Sequence, residues 1–263
     1  MICTWFQVEH WQNGITIFKH TLNVTKDNCV ANCELGHALM RNGKLDDAVV
    51  QFYKALKINP NYEEAHANLG CTLARQGKIS DASYHYNKAL LINPNNAKAH
   101  NNLGVLLAGK EKVNDAIYHY KEALRINPKY GGAYYNLGKI YANKGDIENA
   151  ILFYKKTLQI SPNMAEALYN LSWIYATHKD NKFINGKEAV KLAEKLCRLQ
   201  NYSHPLSLDA LAAAYAEAGK FDKAVKAAQQ GLNMSLTQCP KELARGLTKR
   251  LQLYQAGIPY RQK

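Results

Sequence analysis

"AHNNLG", residues 99–104, sets two asparagines inside a stretch that otherwise reads as a helix. An Asn amide competes with the backbone for hydrogen bonds and so weakens a helix. The same cassette returns as AHANLG at 65–70, AYYNLG at 133–138 and ALYNLS at 167–172, which spaces Asn68, Asn102, Asn136 and Asn170 at intervals of 34 residues. A fixed period of this size marks a solenoid of stacked helical units.

Other positions keep the same phase. Units 29–62, 63–96, 97–130 and 131–164 carry Leu35, Leu69, Leu103 and Leu137 at the seventh position, followed by Gly36, Gly70, Gly104 and Gly138. Ala48, Ala82, Ala116 and Ala150 recur at the twentieth. Four residues on stand Phe52, Tyr86, Tyr120 and Tyr154, and each unit closes with Pro60, Pro94, Pro128 or Pro162. Each unit reads as two helices. Gly43 and Gly77 stop the first helix, and proline, lacking an N–H, ends the second. Small residues at positions eight and twenty let the paired helices approach, and the aromatics fill gaps to the neighbouring unit. One pair cannot bury its apolar face alone, so the units stack.

These phased positions resemble the tetratricopeptide repeat family over nearly the whole chain. The resemblance implies an all-α, right-handed superhelical α-solenoid of helix-turn-helix repeats. The organisation expected is a truncated half-repeat at 1–28, six units over 29–238 and a basic capping helix with tail at 239–263. Unit five, 165–204, is six residues too long, with the excess around THKDNKFINGKEAV, read as an extended turn; unit six, 205–238, returns to register. Trp5, Phe6 and Trp11 are expected to cover the N-terminal end of the stack or to face something beyond it.

In this family the first helices line a concave face, and positions two, five, six, nine and thirteen look into it. The resemblance therefore implies that Asn68, Asn102, Asn136 and Asn170 form an inner ladder, similar to one in the O-GlcNAc transferase repeats that grips extended chains. An amide offers donors and an acceptor to any peptide backbone. The other reading makes these amides structural, bonded to neighbouring backbone or water. Asn101, Tyr135 and Tyr169 share position five, and Lys139 and Trp173 share position nine. Tyr135, Lys139, Tyr169 and Trp173 together offer exposed aromatics beside a cation, the chemistry of an interface hot spot. Alternatively, Tyr169 and Trp173 pack on the displaced turn of unit five.

Composition narrows the function. The chain has 263 residues, 47% of them hydrophobic, and a net charge of +13, which favours acidic partners, anionic lipid or nucleic acid. No run approaches the ~20 apolar residues of a membrane span, and the N-terminus does not read as a secretory signal. Cys3, Cys29, Cys33, Cys71, Cys197 and Cys239 show neither finger spacing nor disulfide density and are expected reduced. Cys29, Cys33 and His37 share a helix face without a fourth ligand, so they read as small apolar residues, and no metal or cofactor is expected. His85 and His119 read as solvated on the outer face. Six cations against Glu242 in 240–263, and a further +3 in unit three, read as a solvated cap without a nucleic-acid motif. The Lys/Asn/Asn/Lys/Arg set with which some relatives grip chaperone carboxylates is missing from every run of three units. No phosphate loop, G-x-G-x-x-G, nucleophile elbow or H-E-x-x-H occurs.

The function expected is a non-catalytic scaffold that binds a partner protein or extended peptide in its concave groove. A second expectation comes from the ends. WFQVEHWQNGITIFKHTL, NGKEAVKLAEKL and LQLYQAGIPYR resemble the C-terminal repeats of bacterial membrane mannosyltransferase-like proteins. The chain would then be the soluble, substrate-presenting appendage of a glycosyltransferase, with Ile2–Phe6 leaving a membrane helix. A third is a self-assembling homodimer that pairs through a ragged N-terminal unit. The sequence leaves the compartment open.

Overall fold

The computed structural model describes residues 14–238 and 241–262, without the side chains of Thr237, Gln238 and Lys241. Trp5, Phe6, Trp11, Cys3 and Cys239, on which some expectations rest, lie outside them. The described residues form fourteen α-helices and one 3-10 turn, with no strand among them. The chain divides into two compact units, Met1–Ala133 and Tyr134–Lys263.

The first unit holds α1 (Gly14–Val24) and three helix pairs: α2 (Cys29–Arg41) with α3 (Leu45–Ile58), α4 (Glu63–Arg75) with α5 (Ile79–Ile92), and α6 (Ala97–Gly109) with α7 (Val113–Ile126). Each helix packs on the next in chain order. Asn28 and Asn96 start α2 and α6, their side-chain oxygens accepting from the N–H of Ala31 and Ala99 at 2.8 Å. Every second helix ends two residues before its proline, at Ile58, Ile92 and Ile126.

Glycine at position eight has a definite partner. A Cβ on Gly36 would stand 2.8 Å from the Phe52 ring, and one on Gly104 2.7 Å from that of Tyr120. The position-24 aromatic thus seats on the glycine of its own unit. Phe52, Tyr86 and Tyr120 are all fully buried.

The turn between paired helices needs one left-handed residue. Gly43 and Gly77 supply it, both with φ +78°. In unit three Gly109 falls inside α6, and Glu111 takes the left-handed position at φ 59°.

Helix α8 (Gly131–Asn143) begins in the first unit and continues into the second, which also holds α9 (Ile147–Ile160), α10 (Ala165–Thr177), α11 (Gly186–Leu199), α12 (Pro205–Glu217), α13 (Phe221–Gln238) and α14 (Lys241–Gln255). The surplus residues of unit five form the 3-10 turn Asn181–Phe183 and its flanks. Asn185 then starts α11 by accepting from Glu188 N–H at 3.1 Å, and Pro205 opens α12. The core gathers Tyr154, Leu168, Leu171, Leu196, Leu208, Leu211, Leu251 and Tyr254. Leu251 and Tyr254 bring α14 into that core as an integral layer.

Candidate peptide-binding groove

The ladder asparagines divide between the two units. In the first, Asn68 is only 4% exposed. Its Nδ2 donates to Cys33 Sγ at 3.8 Å, and its Oδ1 accepts from Lys98 Nζ at 3.1 Å. It thereby ties unit two to the units on either side. Asn102 is half-buried and accepts from Asn101 Nδ2 at 3.2 Å.

The Asn102 amide also faces the Tyr86 hydroxyl of the preceding repeat. Burial pushes that phenol well up, and the Asn102 amide opposes the shift. Asn170 does the same for Tyr154, and for Tyr135. A buried phenol favours a polar neighbour, and for Tyr86 and Tyr154 the position-six amide of the next repeat is one. Unit one carries Phe52, which has no hydroxyl, and there Asn68 turns to Cys33 and Lys98 instead.

Beside these amides an open groove runs along α4 and α6. Its cavity of about 690 Å³ is lined by Cys71, Ala74, Arg75, Tyr86, Asn102, Val105, Leu106 and Lys110. Cys71 and Val105 are position-nine residues and Arg75 is at position thirteen. The wall is mostly apolar, with Val105 45% exposed, and two cations stand at its edge. One Arg75 N–H is committed, donating to Met40 O at 2.9 Å.

The second unit is arranged differently. Tyr135, Tyr169 and Asn170 line a smaller cavity of about 290 Å³, closed by Glu166, His204 and Leu206. Lys139 is exposed, with its Nζ 5.8 Å from the Tyr135 ring centre, and Asn136 is half-buried. Trp173 stacks on Tyr169 at 5.9 Å and 14°, but its other contacts come from the end of the chain. The Arg250 guanidinium lies 5.4 Å from both the Trp173 and the Tyr260 ring centres. Arg250 also grips Asp209, which is 2% exposed, through two 2.7 Å hydrogen bonds. Trp173 thus contacts α14 and the segment after it. Phe183 of the displaced turn packs edge-on against His178 instead.

The reading of His85 as solvated is overturned. It is 6% exposed, and its Nδ1 lies 2.9 Å from His66 Nδ1. His66 Nε2 lies 3.0 Å from the Pro60 carbonyl. That carbonyl only accepts, so Nε2 carries the proton, and the neutral pair is completed by His85 Nδ1–H donating to His66. His100, His119 and the Pro94 carbonyl repeat the arrangement one unit on, at 2.9 and 3.1 Å, with His119 half-buried. Burial and His66 pull the His85 pKa down to about 4, and burial and His100 lower that of His119. The signal is present in the cassette, since two histidines keep one phase in the same two repeats. In unit four Tyr134 and Phe153 occupy these positions and stack at 6.2 Å.

Cys33 and Cys197 are buried free thiols, each pushed up to about 12 by burial, and Cys29 and Cys71 are partly exposed free thiols. Among the described residues no group of three or more His, Cys, Asp or Glu side chains is placed to hold a metal ion. None of the described helices is long and apolar enough to cross a membrane.

Helix pairs that recur every 34 residues, seated glycine to aromatic in the four regular units, define an α-helical repeat fold. Models of the TPR repeat match residues 36–77, 72–111 and 108–145, and one of the tetratricopeptide repeat matches 132–164. Residues 36–164 are therefore tetratricopeptide repeats. No curated protein sequence matches the chain. Among solved structures it is similar to a chain of the APC/C hetero-tetramer Cut9–Hcn1, with TM-score 0.73 and 17% identity over 89% of this chain and 45% of that one. It is also similar to pilF of Pseudomonas aeruginosa, with TM-score 0.68 and 19% identity over 84% of this chain and 96% of that one. At these identities the likeness is one of fold. The chain spans less than half the length of the Cut9–Hcn1 match.

Proposed function

We propose that the chain is a non-catalytic scaffold that holds an extended segment of a partner protein in the groove between α4 and α6. The observation that carries this reading is the groove itself. It is open, mostly apolar and about 690 Å³ in volume, which suits side chains of an extended peptide. Cys71, Arg75, Asn102, Val105 and Gly109 of its lining fall on positions through which tetratricopeptide arrays face their partners. The half-buried Asn102 amide at its floor can also pair with a peptide backbone. Arg75 and Lys110 at the rim, together with the net charge of +13, favour a segment rich in acidic residues. The resemblance behind the alternative of a membrane glycosyltransferase appendage rests on residues 5–22, 185–196 and 251–261, of which 5–13 lie outside the described residues.

The test is affinity capture from lysate of the source organism, with wild type beside Val105→Arg in the groove and Leu152→Arg on α9. Both side chains are 45% exposed, so neither substitution disturbs the core. A partner held by wild type and Leu152→Arg, but lost by Val105→Arg, supports the groove. A partner retained by all three contradicts it.

A further inference from the structure

The last described residues, 256–262, form a strap across the second unit. Gly257, at φ +70°, turns the chain out of α14. Tyr260 then packs on Arg250 at 5.4 Å and on Trp173 at 6.2 Å between ring centres. Arg261 Nη1 donates to Glu217 Oε2 at 2.5 Å and to the Ala176 carbonyl at 3.4 Å. Gln262 N–H donates to the Thr177 carbonyl at 2.7 Å. The strap has specific partners, yet none of residues 256–262 is buried. Of the strap, Tyr260 alone packs against the core of the second unit, and it does so partly exposed. Departure of the strap would leave an indole face, a carboxylate and two carbonyl acceptors at the ends of α10 and α12.

We propose that this surface is a second peptide site, whose ligand is a partner segment carrying an aromatic residue followed directly by arginine, and that the strap occupies it in cis as a competitor. Three features support the assignment. The Glu217 carboxylate is acidic in a chain of net charge +13, so it selects a guanidinium locally against the overall field. Arg250, which walls the ring slot over Trp173, is held by two bonds to Asp209 that do not involve Tyr260. Acceptance by the Thr177 carbonyl reads backbone, so the remaining residues of the ligand are free to vary. This inference rests on the reading that the chain holds partner segments, but it concerns the second unit and has its own test.

The probe is a fluorescein-labelled peptide, AGIPYRQ, corresponding to residues 256–262, titrated into the full chain and followed by anisotropy. The wild type should bind it weakly, because its own strap competes at an effective concentration on the order of millimolar. The Tyr260→Ala/Arg261→Ala chain should bind at least about tenfold tighter, and adding Glu217→Gln should abolish that gain. The peptide AGIPAAQ should not bind the strap variant, a comparison that leaves the protein unaltered. Equal binding to wild type and strap variant, or none to either, overturns the proposal. Val105→Arg should leave peptide binding unchanged; a loss there would move the peptide to the first-unit groove and refute the second site. Partner capture through the groove with no peptide binding leaves the proposed function standing and removes only this one.

Discussion

The two units use one repeat architecture in opposite ways. In Met1–Ala133 the repeats are regular, the seats are glycine against aromatic, and the groove between α4 and α6 is open. In Tyr134–Lys263 a long turn, a capping helix and a strap depart from the repeat, and the position-nine Trp173 is covered by the same chain. The difference teaches that position in a repeat assigns a side chain to a face, not to a partner. Asn68, Asn102 and Asn170 share a phase, yet one ties cysteine to lysine while the other two face buried tyrosines.

The comparison can be broken most sharply at the buried ion pair of the second unit. Arg250→Met leaves the buried Asp209 carboxyl without its partner, which should cost about 3–5 kcal/mol. The midpoint of urea unfolding should fall steeply, and Asp209→Leu in the same chain should recover much of the loss. No site among the regular repeats of the first unit carries a comparable buried ion pair among the described residues.

The next effect belongs to the first unit. The His85 pKa lies near 4 in the folded chain, against about 6.5 when unfolded. As pH falls, the unfolded chain takes up the proton first, so stability is complete above about 6.5 and is lost progressively towards 4. Asp81 beside His85, and Asp115 and Glu122 beside His119, work against the shift without reversing it. Thermal midpoints between pH 7 and 4 should show the decline. The double substitution His66→Tyr/His85→Phe installs the pair that unit four already has in Tyr134 and Phe153. Combined with its counterpart at His100 and His119, it should flatten the profile, and an unchanged slope would place the acid sensitivity elsewhere.

A smaller loss is expected from Asn102→Ala. The buried Tyr86 loses the amide that faces its hydroxyl, for about 1–2 kcal/mol. Chemical denaturation of this variant with Tyr86→Phe completes a double-mutant cycle, and additivity of the two losses would deny the contact. The smallest effect is a gain. Glu111→Gly relieves a left-handed residue that the other regular turns assign to glycine, and should stabilise by about 1 kcal/mol, read as a raised thermal midpoint.

Most of the fold can be read from the sequence. Gly36, Gly70, Gly104 and Gly138 are fixed by contact with an aromatic sixteen residues on, and a contact that repeats every 34 residues leaves a periodic trace. The six helix pairs and the long turn of unit five follow from the same spacing. Sites are less legible. Taken singly, His85 reads as solvated, because His66 reads only as part of the asparagine cassette. Asp209 interrupts the apolar helix PLSLDALAAAYAE, which announces a buried charge but not its partner. The contacts of Trp173 with Arg250 and Tyr260 join segments far apart in the chain and occur once, so no period reveals them.

The most direct test of the open groove is a thiol footprint at Cys71. Among the described cysteines, Cys71 alone lines the α4–α6 cavity, while Cys29 is comparably exposed away from it. Alkylation of both would be followed by mass spectrometry with and without saturating captured partner. If the partner lies in the groove, the rate at Cys71 should fall at least about tenfold while that at Cys29 holds, since a segment seated there excludes reagent from the floor. An unchanged rate at Cys71 with the partner bound would contradict the account.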